Sequence, residues 1–138
     1  MRGYYEWQDI EVDGKEVKQP HFIHGGSDIL AAAGLYTVRK VNDDWVVSTA
    51  IITREARDAS GEVHDRMPVF IIPDVYDEWL NPAKLTTDPE REHTISLLEV
   101  ISDNVASTIT TYEVDRKVNN SHTADPTDPG LIKPVRTE

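Results

Sequence analysis

Two short strings carry the side chains best suited to chemistry: Gly3-Tyr4-Tyr5-Glu6-Trp7 near the start and His64-Asp65-Arg66-Met67-Pro68 near the middle. The first sets a carboxylate beside an indole, and the second sets an imidazole beside a guanidinium. A fold that joins the strings assembles an acid/base pair, Glu6 and His64, with an aromatic neighbour in Trp7 and a cationic one in Arg66. Such a pair moves protons near neutral pH once its surroundings tune both groups. Nothing else in the sequence competes as a centre of chemistry. The chain has no cysteine, which removes disulfides, thiolate metal ligands and cysteine nucleophiles from it. His21 and His24 lie three apart in an extended stretch and face opposite ways, against a shared metal. His64-Asp65 has no second cluster at ligand spacing, His93 and His122 read as solvent residues, and no metal or cofactor is expected. Tyr4, Tyr5, Trp45 and Trp79 read as packing groups.

The elements that must position this pair are bounded first by size. At 138 residues, 38% hydrophobic and 28% charged, the expectation is a single domain, 1–138, with residues 119–130 as a loop or irregular tail. No apolar run reaches the length of a bilayer span and no signal peptide opens the chain, so a cytoplasmic address without a membrane partner is expected. The net charge of −11 weighs against a broad phosphate-binding surface. That acidity is uneven. Residues 1–73 carry 8 basic and 12 acidic side chains, residues 74–104 carry 2 and 8, and residues 105–138 carry 4 and 5. Most of the excess falls in a stretch that reads as helical, where it marks a solvated face, leaving room for a locally positive site elsewhere.

Residues 4–12 are aromatic and β-branched, and Asp13-Gly14 is a hairpin turn signal, so a strand out and a strand back through Lys18-Gln19-Pro20-His21-Phe22-Ile23 are predicted. Residues 29–37 and 45–53 read as two further strands separated by a polar turn over residues 39–44. Residues 54–62 lose the apolar period and read as a loop or single helical turn that delivers His64. Met67 to Ile72 reads as a buried strand ended by Pro73. Val75, Tyr76, Trp79 and Leu80 share one apolar helical face closed by Asn81-Pro82, and a second helix starts with Asp88 as N-cap and Pro89 in the first turn. Ile95, Leu98, Ile101 and Val105 mark its stripe. Residues 108–114 return to the sheet, and Leu131-Ile132-Lys133-Pro134-Val135 docks on the body. The class is α+β: a mainly antiparallel, curved, barrel-like sheet with about two helices.

The order G-Y-Y-E-W, K-Q-P-H-F-I, A-A-G-L-Y, T-x-x-A from Thr53, H-D-R-M-P, V-N-N and L-I-K-P-V resembles the SOS response-associated peptidase (SRAP) family, which processes abasic sites. The resemblance covers nearly the whole chain but only the later part of the family domain, whose members open with Met-Cys-Gly-Arg. It implies that the crosslinking cysteine, which attacks the open-chain sugar aldehyde in single-stranded DNA, has no counterpart here. It further implies that Glu6 is a proton-transfer group, that His64 supports sugar ring opening and crosslink formation or reversal, and that Trp7, Thr53 and Arg66 line the DNA.

The implied function is recognition and processing of abasic sites in single-stranded DNA, as a crosslinking and lyase family, without crosslinking by this chain itself. A chain lacking the front of the domain is expected to cover the exposed surface by forming a homodimer or by binding a partner that supplies the missing segment. Two alternatives come from other classes. One is a peptidase-type hydrolase using Glu6 and His64, against which stands the lack of a nucleophile in a recognisable elbow. The other is a non-catalytic remnant or interaction module.

Overall fold

The computed structural model describes residues 1–135. Two long strands open it, β1 (Gly3–Val12) and β2 (Lys15–His24), paired antiparallel with Glu6 opposite His21 and Trp7 opposite Pro20. Asp13 and Gly14 turn the chain with φ of 52° and 73°, the left-handed pair that a two-residue hairpin turn needs. Later in the chain, β9 (Thr110–Glu113) adds to the free side of β2, so β2 is the centre of a three-stranded sheet and β1 is an edge. Gly3 is required by close approach: a Cβ there would stand 2.5 Å from the Ile23 carbonyl oxygen and from the Phe22 ring.

The remaining strands form three separate pairs, β3 (Ala31–Ala32) with β8 (Phe70–Ile71), β4 (Gly34–Val41) with β5 (Asp44–Ile51), and β6 (Thr53–Glu55) with β7 (Arg66–Pro68). The expected barrel-like sheet is therefore not present among the described residues. The reason is local. The predicted strand over residues 29–37 breaks at Ala33, and matching breaks fall at Ile52 and Val69. At these three positions the chain passes from one strand pair to the next, and each pair ends on one further bond in its own register, the three closing a triangle: Ala33 N–H donates to Val69 O at 2.8 Å, Val69 N–H to Ile52 O at 2.9 Å, and Ile52 N–H to Ala33 O at 3.0 Å. Ala33 and Val69 are buried there with Ile71, so the knot satisfies interior backbone polarity without a continuous sheet.

Three α-helices occur among the described residues: α1 (Asp58–Gly61), α2 (Tyr76–Trp79) and α3 (Asp88–Ala106). Of the expected short apolar face, Val75, Tyr76 and Trp79 pack beneath the knot, whereas Leu80 is exposed. The N-cap of α3 is Thr87 rather than Asp88. Thr87 Oγ1 accepts from Glu90 N–H, while Glu90 Oε2 accepts from Thr87 N–H and Thr86 N–H at 2.9 Å each, a reciprocal capping box. Leu98, Ile101 and Val105 face inward, but Ile95 lies exposed near the start of the helix. The main core gathers Ile23, Leu30, Met67, Phe70, Ala106 and Ile109 between the three-stranded sheet and α3. On the sheet's other face the tail docks as expected: Tyr5 Oη donates to Leu131 O and Tyr112 Oη to Ile132 O, at 3.2 and 2.7 Å.

The β4–β5 pair stands apart from this core. Its register sets Tyr36, Val38, Val47, Trp45 and Ile51 on one face, and Tyr36 and Trp45 are 76% and 72% exposed, so Trp45 is not the packing group expected. Asn42 and Asp43, both with positive φ, make the turn at its tip.

Thr87→Ala should lower stability by about 1 kcal/mol, the usual worth of a lost N-cap, measured by urea unfolding. The Thr87 and Thr86 N–H groups hold the Glu90 carboxyl below its ordinary value. Its contribution is therefore present at neutral pH and lost as pH falls through that depressed value. Glu90→Gln should cost stability at neutral pH, with the gap narrowing in acid.

Candidate functional site

Tyr4, Glu6 and Gln8 alternate onto one face of β1, and the two outer residues hold the turn that carries His64. Tyr4 Oη and Ser60 Oγ lie 2.8 Å apart, with Ser60 buried in α1. The Ser60 carbonyl then accepts from His64 N–H at 3.0 Å, and Gln8 Nε2 donates to Glu62 O at 2.9 Å. Glu6 sits between these pins and faces the imidazole. Burial raises the Glu6 carboxyl above its ordinary value, the charge of His64 opposes that rise, and Asp65 adds to it.

The His64 ring is held by its own loop. Nδ1 accepts from Arg66 N–H at 3.0 Å, which leaves Nε2 to carry the proton of the neutral ring. The Asp65 carboxylate lies 3.1 Å from the same nitrogen.

Glu6, Trp7, Lys18, His64 and Asn119 line an open cavity of about 500 Å³. Trp7 points to the opposite sheet face from Glu6, and the cavity reaches both because β1 is an edge strand. Trp7 Nε1 donates to Asn119 Oδ1 at 2.7 Å, and Asn119 Nδ2 donates to Lys18 O at 3.0 Å, which fixes the indole. Lys18 pairs with Asp9 across the hairpin at 2.6 Å.

Three of the five residues singled out from the sequence, Glu6, Trp7 and His64, therefore share one cavity. The other two form a neighbouring pair: Arg66 Nη2 donates to Thr53 Oγ1 at 2.7 Å, next to the His64 loop but outside the cavity lining. Lys18 and Asn119 were missed as site residues. Their signal lay in the K-Q-P and V-N-N strings, but nothing local says that the second string folds back over the first. His21 and His24 point to opposite faces as expected. His24 stacks on Phe22, with centroids 5.7 Å apart, and His21 faces the interior. No cluster of three or more metal-ligating side chains occurs among the described residues, and no helix among them is long and apolar enough to cross a membrane.

The chain can now be set beside known proteins. It is 34% identical over 87 residues to the abasic site processing protein YoaM of Bacillus subtilis, covering 62% of this chain and 37% of that protein. To YobE of the same organism, also an abasic site processing protein, it is 30% identical over 119 residues, covering 85% and 50%. The chain thus spans half or less of the length of these relatives. A crystal structure of a protein from Bacteroides thetaiotaomicron superposes with a TM-score of 0.65 at 20% identity, covering 98% of this chain and 54% of that one, which speaks to the fold. The model of the SOS response associated peptidase (SRAP) family matches residues 1–121. This chain belongs to that family.

Proposed function

We propose that this chain recognises and processes abasic sites in single-stranded DNA, with Glu6 and His64 as its proton-transfer pair. The observation that carries the reading is their convergence on one open cavity from opposite ends of a hydrogen-bonded frame. Opening a hemiacetal and making or hydrolysing a Schiff base move protons on and off oxygen and nitrogen near neutral pH. A carboxyl raised by burial beside an imidazole with an available Nε2–H suits that work. The fixed Trp7 indole offers a stacking surface for a base flanking the gap, and Arg66, with Thr53 as its anchor, offers a phosphate contact. The peptidase and remnant readings lack a comparable observation in their favour.

We further propose that residues 1–138 act as one domain, and that the apolar face of the β4–β5 ribbon is covered in the working assembly. An isolated two-stranded ribbon is marginal in water. Val47 and Ile51 are 61% and 60% exposed beside Tyr36 and Trp45. A second copy is the occupant proposed, because Arg39 and Lys40 balance Asp43 and Asp44, making the ribbon locally neutral in a chain of net charge −11. Sedimentation should show concentration-dependent dimers that Trp45→Lys with Val47→Lys converts to monomers. A monomer at all concentrations would discard this part.

For the site, single-stranded oligonucleotides made abasic by uracil removal should be bound more tightly than intact ones and cleaved at the gap. Glu6→Gln or His64→Ala should slow cleavage by roughly 10²–10⁴-fold, and Trp7→Ala should weaken binding by about 1–3 kcal/mol. Equal cleavage by all variants favours the remnant reading. Glu6→Gln should also stabilise the fold at neutral pH. A carboxyl whose folded value is raised favours the native state only below its ordinary range and opposes it above, so the gain should vanish in acid when unfolding is followed against pH.

A further inference from the structure

The residue behind Glu6 on the sheet is His21, on the central strand β2. The registers place Glu6 on β1 opposite His21, and His21 opposite Glu113 on β9, so all three side chains leave the sheet on the same face. His21 is 9% exposed, and neither ring nitrogen has a hydrogen-bond partner among the described residues. Leaving a buried donor and a buried acceptor both unmet is destabilising, and nothing in the core requires an imidazole there. Glu113 is exposed. The row therefore runs from a half-buried acid at the cavity, through a buried imidazole, to a carboxylate in contact with bulk water.

We propose that His21 is a proton relay behind the site, connecting Glu6 at the cavity with Glu113 on the solvent side of the sheet. The proposal rests on the reading of Glu6 as a proton-transfer group. Cross-strand partners stand with Cβ atoms about 4.5–5.5 Å apart, so side-chain rotation of either glutamate brings a carboxylate oxygen onto a ring nitrogen. After Glu6 has taken a proton from the substrate, its O–H bond breaks and an N–H bond forms at the basic nitrogen of His21. The N–H at the other ring nitrogen breaks as its proton passes to the Glu113 carboxylate, which releases it to water. His21 ends neutral with its tautomer exchanged, Glu6 ends as carboxylate, and no electrons change hands. A ring flip then turns the protonated nitrogen toward Glu113 and the basic nitrogen toward Glu6, ready for the next proton.

On this face of the sheet the row itself supplies Glu6 and Glu113, His64 and Asp65 act on Glu6 from the cavity side, and Arg116 of the 3-10 turn Arg116–Asn119 lies against β2. Arg116 Nε donates to Gln19 Oε1 at 3.0 Å, two residues along the same face as His21, and so is already engaged. Burial lowers the His21 value and the Glu113 charge opposes that fall, which keeps the imidazole mostly neutral and able to both accept and give a proton.

Nitrogen-15 NMR of the histidine rings in the purified chain, followed against pH, tests the linkage without DNA. Glu6→Gln and Glu113→Gln should each lower the His21 midpoint by roughly half a pH unit or more, because each removes a negative neighbour of the charged ring. A midpoint indifferent to both substitutions overturns the relay. On abasic oligonucleotides, His21→Gln and Glu113→Gln should each lower the cleavage rate at saturating DNA by about tenfold or more and alter its pH profile, with binding unchanged. Glu113→Gln lies at the surface and away from the cavity, so its loss of rate cannot be assigned to unfolding. Unchanged rates in both variants also overturn the relay. If the unsubstituted protein does not act on abasic DNA at all, the reading of the site fails, and the NMR result alone decides the linkage.

Discussion

The frame around Glu6 is the constraint on which the rest of the site depends. Tyr4 and Gln8 flank Glu6 on one face of an edge strand, and each reaches across to the segment that carries His64, one through Ser60 and the other through Glu62. Strand alternation makes these residues collinear without further specification, and a single turn of helix is short enough to be held at both ends. The bond from the Ser60 carbonyl to His64 N–H completes the frame. A carboxylate and an imidazole far apart in the chain thereby face each other, and the burial that raises the acid is the same burial that seats Tyr4 against Phe70, whose ring centroids lie 6.0 Å apart.

A second set of forces holds this frame to the body. Asp103 on α3 binds both Arg54 and Arg57, at 2.6 and 2.7 Å, on either side of the connection from β6 to α1. Those guanidinium groups hold its carboxyl below the usual range. The Ala33, Ile52 and Val69 triangle ties the ends of three strand pairs into one point. The bond from Ile52 N–H to Ala33 O ties the base of the β4–β5 ribbon to this point, while its apolar face beyond it meets water.

Charge follows the same division. The larger share of the acidic excess belongs to residues 74–104, which include α2, most of α3 and their connection, whereas the cavity at the edge of β1 brings together one carboxyl, one lysine and one imidazole. The net charge of −11 thus says little about the charge at the cavity itself.

Much of the fold was legible from local chemistry. The left-handed turn at Asp13-Gly14, the β-branched strands, the helical turn before His64 and the proline-bearing start of α3 all rest on preferences of a few adjacent residues. The cap itself shifted by one residue, because the threonine hydroxyl and Glu90 close a reciprocal pair that the Asp88 reading overlooked. Ile95, Leu80 and Trp45 were read as buried because apolar side chains usually are, yet burial depends on what packs against them, and none of the three joins either core cluster.

The sequence by itself determined the residue types of the site, the strand phase that sends Glu6 and Trp7 to opposite faces, and the family to which the order of strings points. Only the tertiary structure decided that Glu6 and His64 line one cavity, that Asn119 closes over Trp7, that Arg66 turns to Thr53, and that the described strands part into one three-stranded sheet and three pairs. The physical reason is that phase and turn propensity are set by neighbours along the chain, whereas pairing across it is set by the packing and hydrogen bonds of the finished fold, whose partners no short window contains.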